Sequence, residues 1–268
     1  TLIELALDIP MFSKTLTRFV KGDPDALLLV EFAGEEPTKL QQQLGDLSTL
    51  MADLGHPGSV VDIVNPADQQ SVWEVRKSGL NIMMSMKGDR KPVSFIEDCA
   101  VPLEHLAEFT DRLTRIFEDH GTRGTWYAHA SEGCLHVRPV LNMKSPEDVR
   151  KMRSIAEQAF SIVREYECPH SGEHGDGIVR SEFHPTMFGD RMLNIFEQVK
   201  QIIDPDSLFN PGKIVDPPRM DDRSLFRYGP EYLDGKRSTQ LDWSTWGGFP
   251  VQLKCATTMA PAVNRTPR

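Results

Sequence analysis

The sequence predicts an α+β fold in which an antiparallel sheet carries helices packed on one face. Three observations lead there. Segments with helical spacing alternate with short apolar runs, in the order strand, helix, strand, helix, strand, helix, strand, strand, helix. The two adjacent strand segments flank Glu132-Gly133, a turn signal that makes them a hairpin and their pairing antiparallel. No G-x-G-x-x-G follows a predicted strand and no P-loop occurs, so a nucleotide-binding half is not visible.

Taken in order, "DALLLVEFAG" (25–34) is an apolar run ended by Ala-Gly and reads as a buried strand. "EPTKLQQQLGDLSTLMADLG" (36–55) spaces Leu40, Leu44, Leu47 and Leu54 for a helix, with Gly55 as the stop. "SVVDIV" (59–64) is a second strand. "PADQQSVWEVRKSGL" (66–80) is a helix with proline at its start and Gly79 at its end. "KPVSFIEDCAVP" (91–102) is a third strand, closed by Pro102. "LEHLAEFTDRLTRIFEDHG" (103–121) is an amphipathic helix ended by glycine. "TWYAHAS" (125–131) and "CLHVRPVL" (134–141) form the hairpin. "SPEDVRKMRSIAEQAFSIVREYE" (145–167) is a long helix, with Ser145 at the N-cap and acids in the first turn. A glycine-rich loop follows, then a helix at 191–204 and the turn-rich "PDSLFNPGKIVDPP" (205–218). From about 217 onward periodicity fades into a predicted extended tail.

A chain of 268 residues makes one large domain or two small ones. The net charge of −9 argues against nucleic acid as a partner. No apolar run is long enough for a transmembrane segment and no signal peptide is visible, so the expected location is cytoplasmic. Four cysteines without a CxxC pair read as reduced thiols. The chain opens without an initiator Met, which raises the expectation of a fragment.

Four constellations could carry chemistry. In "HASEGCLH", His129 and His136 stand an odd number of positions apart, which would place them on opposite faces of one strand. A hairpin turn between them can bring both imidazoles together as a metal pair; a structural role is the alternative. Glu173 and His174 lie in "SGEHGDG", where a carboxylate from a separate segment would complete a two-histidine, one-carboxylate set suited to zinc, iron or manganese. The same loop reads equally well as a polar connection. Arg76, Arg138 and Arg180 are each either a clamp for a substrate carboxylate or a solvated charge. "NPGK" by itself marks only a chain reversal.

Taken together, "SGEHGDGIVRSEF" followed by "VKQIIDPDSLFNPGKIV" resembles the C-terminal domain of the FAD-linked oxidases, over roughly residues 20–216. That family includes D-lactate dehydrogenases, the glycolate oxidase flavoprotein subunit and D-2-hydroxyglutarate dehydrogenases. The resemblance implies a ferredoxin-like cap domain that binds the substrate of a flavin enzyme. It implies that His129, His136 and Glu173 ligate a divalent metal and that His174 faces the flavin and takes the hydroxyl proton. It further implies that Arg76, in "VWEVRKSG", holds the substrate carboxylate, and that Asn210 and Lys213 lie toward the flavin domain.

On that resemblance the chain is the metal- and substrate-binding part of an enzyme that oxidises a D-2-hydroxy acid, of the D-2-hydroxyglutarate or D-lactate type, with hydride transfer to FAD. The alternative is a stand-alone metal- and carboxylate-binding module without redox activity. FAD would be bound mainly by an N-terminal domain of the same parent chain, with residues 1–19 a remnant helix or linker from it. The electron acceptor is left open, as is a peripheral place at the inner membrane through it; a homo-oligomer is compatible with the resemblance.

The sequence departs from the family pattern at "SEGC" (131–134), at Arg138 and at Ile96, so substrate contacts differ from those of the simplest members. "PPRMDDRSLFRYGPEY" and "LDWSTWGGF" resemble the linker of long members before their iron–sulfur region, which admits an iron–sulfur cluster in the parent protein. Residues 251–268 break the pattern and are expected to be a disordered, out-of-frame end.

Overall fold

A computed structural model describes residues 6–7, 9–227, 229, 239–246 and 248. The proposed out-of-frame end, 251–268, and most of the extreme N-terminus lie outside the described residues. The chain divides into two compact units, Thr1–Ile82 and Met83–Arg268.

The first unit is helical. Helix α1 (Pro10–Phe19), α2 (Pro37–Asp53), α3 (Pro66–Lys77) and the start of α4 (Gly79–Met84) are its regular elements. Prolines at the N-termini of α1, α2 and α3 sit where no intrahelical N–H is needed. Asn65 caps α3 by accepting the N–H of Ala67 at 2.8 Å. A small apolar cluster joins Ala6, Phe12, Leu16 and Ile82, with Val75 of α3 packed against it. An ion pair of Arg18 with Asp68 ties α1 to α3 at 2.7 Å.

Two expectations fail in this unit. Residues 25–34 and 59–64 are not strands, and Leu27, Leu28, Leu29, Val30 and Val64 are exposed. An apolar run becomes a buried strand only when a neighbouring strand supplies its ladder, and the described residues of this unit contain none. Helix α2 forms as expected, but its leucine stripe buries no residue.

The second unit is α+β. Among the described residues, six short strands make two antiparallel three-stranded sheets. The first has β1 (Lys91–Pro92), β6 (Arg138–Leu141) and β3 (Gly124–Thr125) in that order; the second has β2 (Cys99–Ala100), β5 (Cys134–Leu135) and β4 (Ala128–His129). The registers pair Pro92 with Val140, Gly124 with Pro139, Ala100 with Cys134 and His129 with Cys134. The two arms of the predicted hairpin are therefore each broken in two, because they serve different sheets. The segment read as one strand over 91–102 is likewise split into β1 and β2.

Helices α5 (Leu106–Asp119) and α6 (Pro146–Glu165) cover these sheets. Helix α5 buries Phe109, Leu113, Ile116 and Phe117, one face at helical spacing. Helix α6 buries a second stripe that includes Met152, Ile155, Ala159 and Val163. These meet Phe95, Ile96, Val137 and Leu141 in one core. Each fully buried large side chain there contributes about 1.5–3 kcal/mol. Ser145 occupies the N-cap of α6, but its hydroxyl makes no cap bond. Asp148 in that first turn instead accepts the N–H of Asn142 at 2.7 Å and fixes the entry of the chain.

Two elements frame the site. Short α7 (Gly177–Arg180) runs into α8 (His184–Ile203), which begins before the predicted start at 191 and breaks at Gly189 (φ 73°). Gly133 closes the hairpin turn at φ 66°, and a Cβ there would lie 1.8 Å from the carbonyl oxygen of Val101. Only glycine fits. No described helix is long and apolar enough to cross a membrane.

Candidate metal centre and its loop

The turn around Gly133 folds the two hairpin arms back, so His129 ends β4 and His136 follows β5 with its N–H donated to Tyr127 O at 2.7 Å. The imidazoles meet edge to face with centroids 5.0 Å apart. The loop after α6 then brings in Glu173. Its Oε1 lies 3.7 Å from His129 Nε2, and its Oε2 lies 3.7 Å from His136 Nε2. These separations are too long for hydrogen bonds. Two donors that each sit about 2.0–2.2 Å from one ion can be no more than about 4.4 Å apart, and both separations fall inside that limit.

His136 is closed in. Its ring stacks on Tyr127 at 5.6 Å on one side and on His174 at 5.0 Å on the other. Burial pushes its pKa down, which outweighs the pull of Glu173 and keeps the imidazole neutral and able to donate a lone pair. Its Nδ1 is buried without a hydrogen-bond partner. Glu173, at 45% side-chain exposure, is the open side of the centre.

Asp98, which is not among the site residues the sequence predicts, holds the loop. Its carboxylate accepts the N–H of His174 at 2.7 Å, the N–H of Glu173 at 3.0 Å and the hydroxyl of Ser171 at 2.7 Å. Gly172 donates its N–H to Asp98 O at 2.7 Å. A Cβ on Gly172 would lie 3.2 Å from the Ala100 Cβ, so the glycine permits this close approach. Burial alone would raise the Asp98 carboxyl, but the His174, Ser171 and Glu173 donors outweigh it and hold the pKa below its ordinary value. The backbone of Asp98 sits at φ 85°, a left-handed conformation that costs on the order of 1–3 kcal/mol for a non-glycine residue. The sequence signal for it is an acid set inside an otherwise apolar run, as in "SFIEDCAVP", and the fold buries that acid fully.

Glu97 supports His174 from beside Asp98. It is buried, accepts from the hydroxyl of Ser94 and pairs with Arg138 Nε. Its Oε1 lies 3.6 Å from His174 Nδ1. Arg180, also buried, donates to Glu97 O at 2.7 Å and to Gly175 O at 2.9 Å. Arg138 and Arg180 are thus internal braces, neither solvated charges nor open clamps.

Cys99 and Cys134 flank this framework as protonated thiols. Burial first, with the Asp98 charge adding to it, pushes both up to about 12. Cys99, Cys134 and Cys168 are free; Cys255 lies outside the described residues.

Three predicted site residues remain. Arg76 belongs to α3 of the first unit, half-buried, with its guanidinium 4.9 Å over the Trp73 ring. Asn210 and Lys213 sit together on an exposed turn, with Lys213 Nζ donating to Asn210 Oδ1 at 3.2 Å. Asp204 organises that turn by accepting the N–H groups of Leu208 and Phe209, both at 2.9 Å.

The family model of the FAD linked oxidases, C-terminal domain, matches residues 5–214. The D-2-hydroxyglutarate dehydrogenase of Pantoea ananatis is 32% identical over 198 residues, 71% of this chain and 19% of its own length. The D-2-hydroxyglutarate dehydrogenase of Pseudomonas putida is 28% identical over 252 residues, 90% of this chain and 24% of its own. The mitochondrial D-lactate dehydrogenase [cytochrome] of Arabidopsis thaliana is 26% identical over 196 residues, 71% of this chain and 33% of its own. The chain thus spans about a fifth to a third of the length of these relatives.

Proposed function

The chain belongs to the FAD linked oxidases, whose C-terminal domain it carries, and from that membership we propose that it binds the substrate and a divalent metal for the oxidation of a D-2-hydroxy acid to the 2-oxo acid. The observation that carries the reading is the convergence of His129, His136 and Glu173, with His174 stacked against His136. Relatives named for D-2-hydroxyglutarate and D-lactate supply the substrate class.

The donor set fits a divalent metal, since two imidazoles and a carboxylate with an open side leave a position for substrate oxygen. Bound there, a metal supplies Lewis acidity to the hydroxyl and carboxylate oxygens of the substrate. The loop also fits a flavin at its surface. His174 is 43% exposed, and a Cβ added at Gly175 or Gly177 would meet nothing within 4 Å, so the backbone there is open to a flat ring. FAD supplies the acceptor for the hydride that leaves C2.

This chain's own residues then divide the work. His129, His136 and Glu173 hold the metal. Glu97, on the Nδ1 side of His174, favours a proton at Nδ1 and leaves Nε2 to take the hydroxyl proton. Asp98 holds Glu173 and His174 in place through their own N–H groups. The assignments of Arg76 to the substrate carboxylate, and of Asn210 and Lys213 to the flavin side, rest on the resemblance of their segments.

The test is binding of D-2-hydroxyglutarate and D-lactate to the metal-loaded and metal-stripped chain, followed by calorimetry. The reading expects binding that disappears with the metal and with Glu173→Gln. Binding that ignores the metal would overturn it. Metal and carboxylate binding in a flavin-supplied enzyme that reduces no dye with either acid would instead point to a binding module without redox activity.

A further inference from the structure

A second cluster of ligand-type side chains shares no residue with the centre above. His170 stands three positions before Glu173, Asp176 ends the same loop, and His184 opens α8. The rings of His170 and His184 are buried, 5.7 Å apart and within 4° of parallel. Asp176 lies against both. Its Oδ1 is 2.6 Å from His170 Nε2 and its Oδ2 is 2.9 Å from His184 Nε2, one oxygen to each imidazole. Asp176 thus bridges the two imidazoles, and the three side chains form one group of ligand type.

The hydrogen bonding of the cluster is incomplete. His170 Nε2 is hydrogen-bonded to Asp176 Oδ1, whereas His184 Nε2, 2.9 Å from Oδ2, is poorly aligned with it. His170 Nδ1 and His184 Nδ1 are buried without partners as well. A buried polar atom left unsatisfied costs about 1–3 kcal/mol, and an ion on the carboxylate side of the rings would account for His184 Nε2, though not for the Nδ1 atoms on the far side. A ring nitrogen near a carboxylate oxygen but not aimed at it has its lone pair free for an ion that both share.

We propose that His170, Asp176 and His184 hold a second divalent transition-metal ion, which staples the loop that carries Glu173 and His174 to the start of α8. A carboxylate engaging through both oxygens, plus two imidazole nitrogens, supplies four donors, the number of a closed structural zinc site. The N₂O₂ set suits zinc or cobalt better than magnesium or calcium. The surroundings point the same way. Phe160 stands against His170, and Phe188 and Phe196 stand against His184, an apolar wall that leaves no obvious place for a substrate. His184 also borders a cleft lined by Ser181, Pro185, Phe196 and Ile214. The site is structural, in contrast to the open centre at Glu173.

The experiment counts metal in the full chain after exhaustive dialysis, with zinc by mass spectrometry and with cobalt by its visible d–d spectrum. The wild type retains about two equivalents, and the His129→Ala/His136→Ala variant about one, with a tetrahedral cobalt spectrum. Adding Asp176→Asn or His184→Gln to that background removes the remaining equivalent. A folded His129→Ala/His136→Ala protein that holds no zinc and gives no cobalt spectrum overturns the proposal and leaves a hydrogen-bonded clamp in its place. So does a residual equivalent that survives both Asp176→Asn and His184→Gln. If that background does not fold, the wild type decides with a chelator competition: two zinc equivalents, one of them lost in Asp176→Asn, support the site, and any other result overturns it. Since no ligand is shared, failure of this proposal leaves the reading of the centre at His129, His136 and Glu173 untouched.

Discussion

The carboxylate of Asp98 accepts the backbone N–H of His174 at 2.7 Å, a contact that spans 76 positions of sequence. The same carboxylate takes the N–H of Glu173 and the hydroxyl of Ser171, so one buried acid sets the course of the whole loop. Replacing it with asparagine keeps the shape, removes the charge and turns an NH₂ group toward N–H donors. Asp98→Asn is expected to cost about 2–4 kcal/mol in stability. It should also weaken metal binding at the centre by roughly 10–100-fold, as loss of a group that orients ligands does. Urea unfolding and zinc titration read the two effects; unchanged zinc affinity would show that the loop holds its place without Asp98.

Asp98 also predicts a pH dependence. Its pKa is depressed in the fold. A depressed carboxyl stabilises the fold above its unfolded value, near pH 4, and this contribution is lost as pH falls from there through the folded value. The wild type should therefore lose stability more steeply than Asp98→Asn as pH drops below about 4. Chemical denaturation at a series of acidic pH values measures the difference in slope; parallel slopes would count against it.

What could be read from the sequence followed from local pattern. Helices α5 and α6 were legible because Phe109, Leu113 and Phe117, or Met152, Ile155 and Ala159, repeat at the helical period. The meeting of His129 and His136 was legible because a turn was signalled between them. The runs at 25–34 and 59–64 were misread because apolarity records a preference for burial, not the presence of a pairing strand. Asp98 was passed over because its partners lie more than 70 positions away. Arg138 and Arg180 were ambiguous for the same reason: only the fold shows that both brace Glu97.

Gly133 gives a prediction about the hairpin. With φ 66° and a Val101 carbonyl 1.8 Å from where a Cβ would sit, alanine fits neither the backbone angle nor the space. The neighbouring atom is backbone and can move only by opening the β2–β5 ladder. Gly133→Ala should destabilise the second unit by about 2–4 kcal/mol. It should also reduce metal retention, because the turn is what brings His129 to His136. Thermal unfolding and metal content test both effects; a shift of less than a few degrees in Tm would contradict the clash.

Arg76 gives a prediction that separates charge from shape. If its fork holds a substrate carboxylate, Arg76→Lys keeps the charge and loses the paired geometry. In the flavin-loaded enzyme this should raise KM for a D-2-hydroxy acid by about 10–100-fold, with metal content unchanged. An equal fall in kcat and kcat/KM with KM preserved would assign Arg76 a different role.

His174 can be tested apart from the metal. It reaches the centre through its stacking on His136 and its proximity to Glu97, and it is not among the proposed ligands. His174→Gln keeps a polar side chain on the loop and the backbone N–H that Asp98 accepts. It removes the nitrogen that takes the hydroxyl proton. Metal content and substrate affinity should stay within about twofold, while the rate of flavin reduction falls by about 10²–10⁴-fold, the usual worth of a general base. The discriminating measurement is the pH profile of that rate by stopped flow. The acidic limb in the wild type reports the base, and it should vanish in His174→Gln. If the limb persists in the variant, the proton goes to another group, and the stack of His174 on His136 serves only to position the ligand.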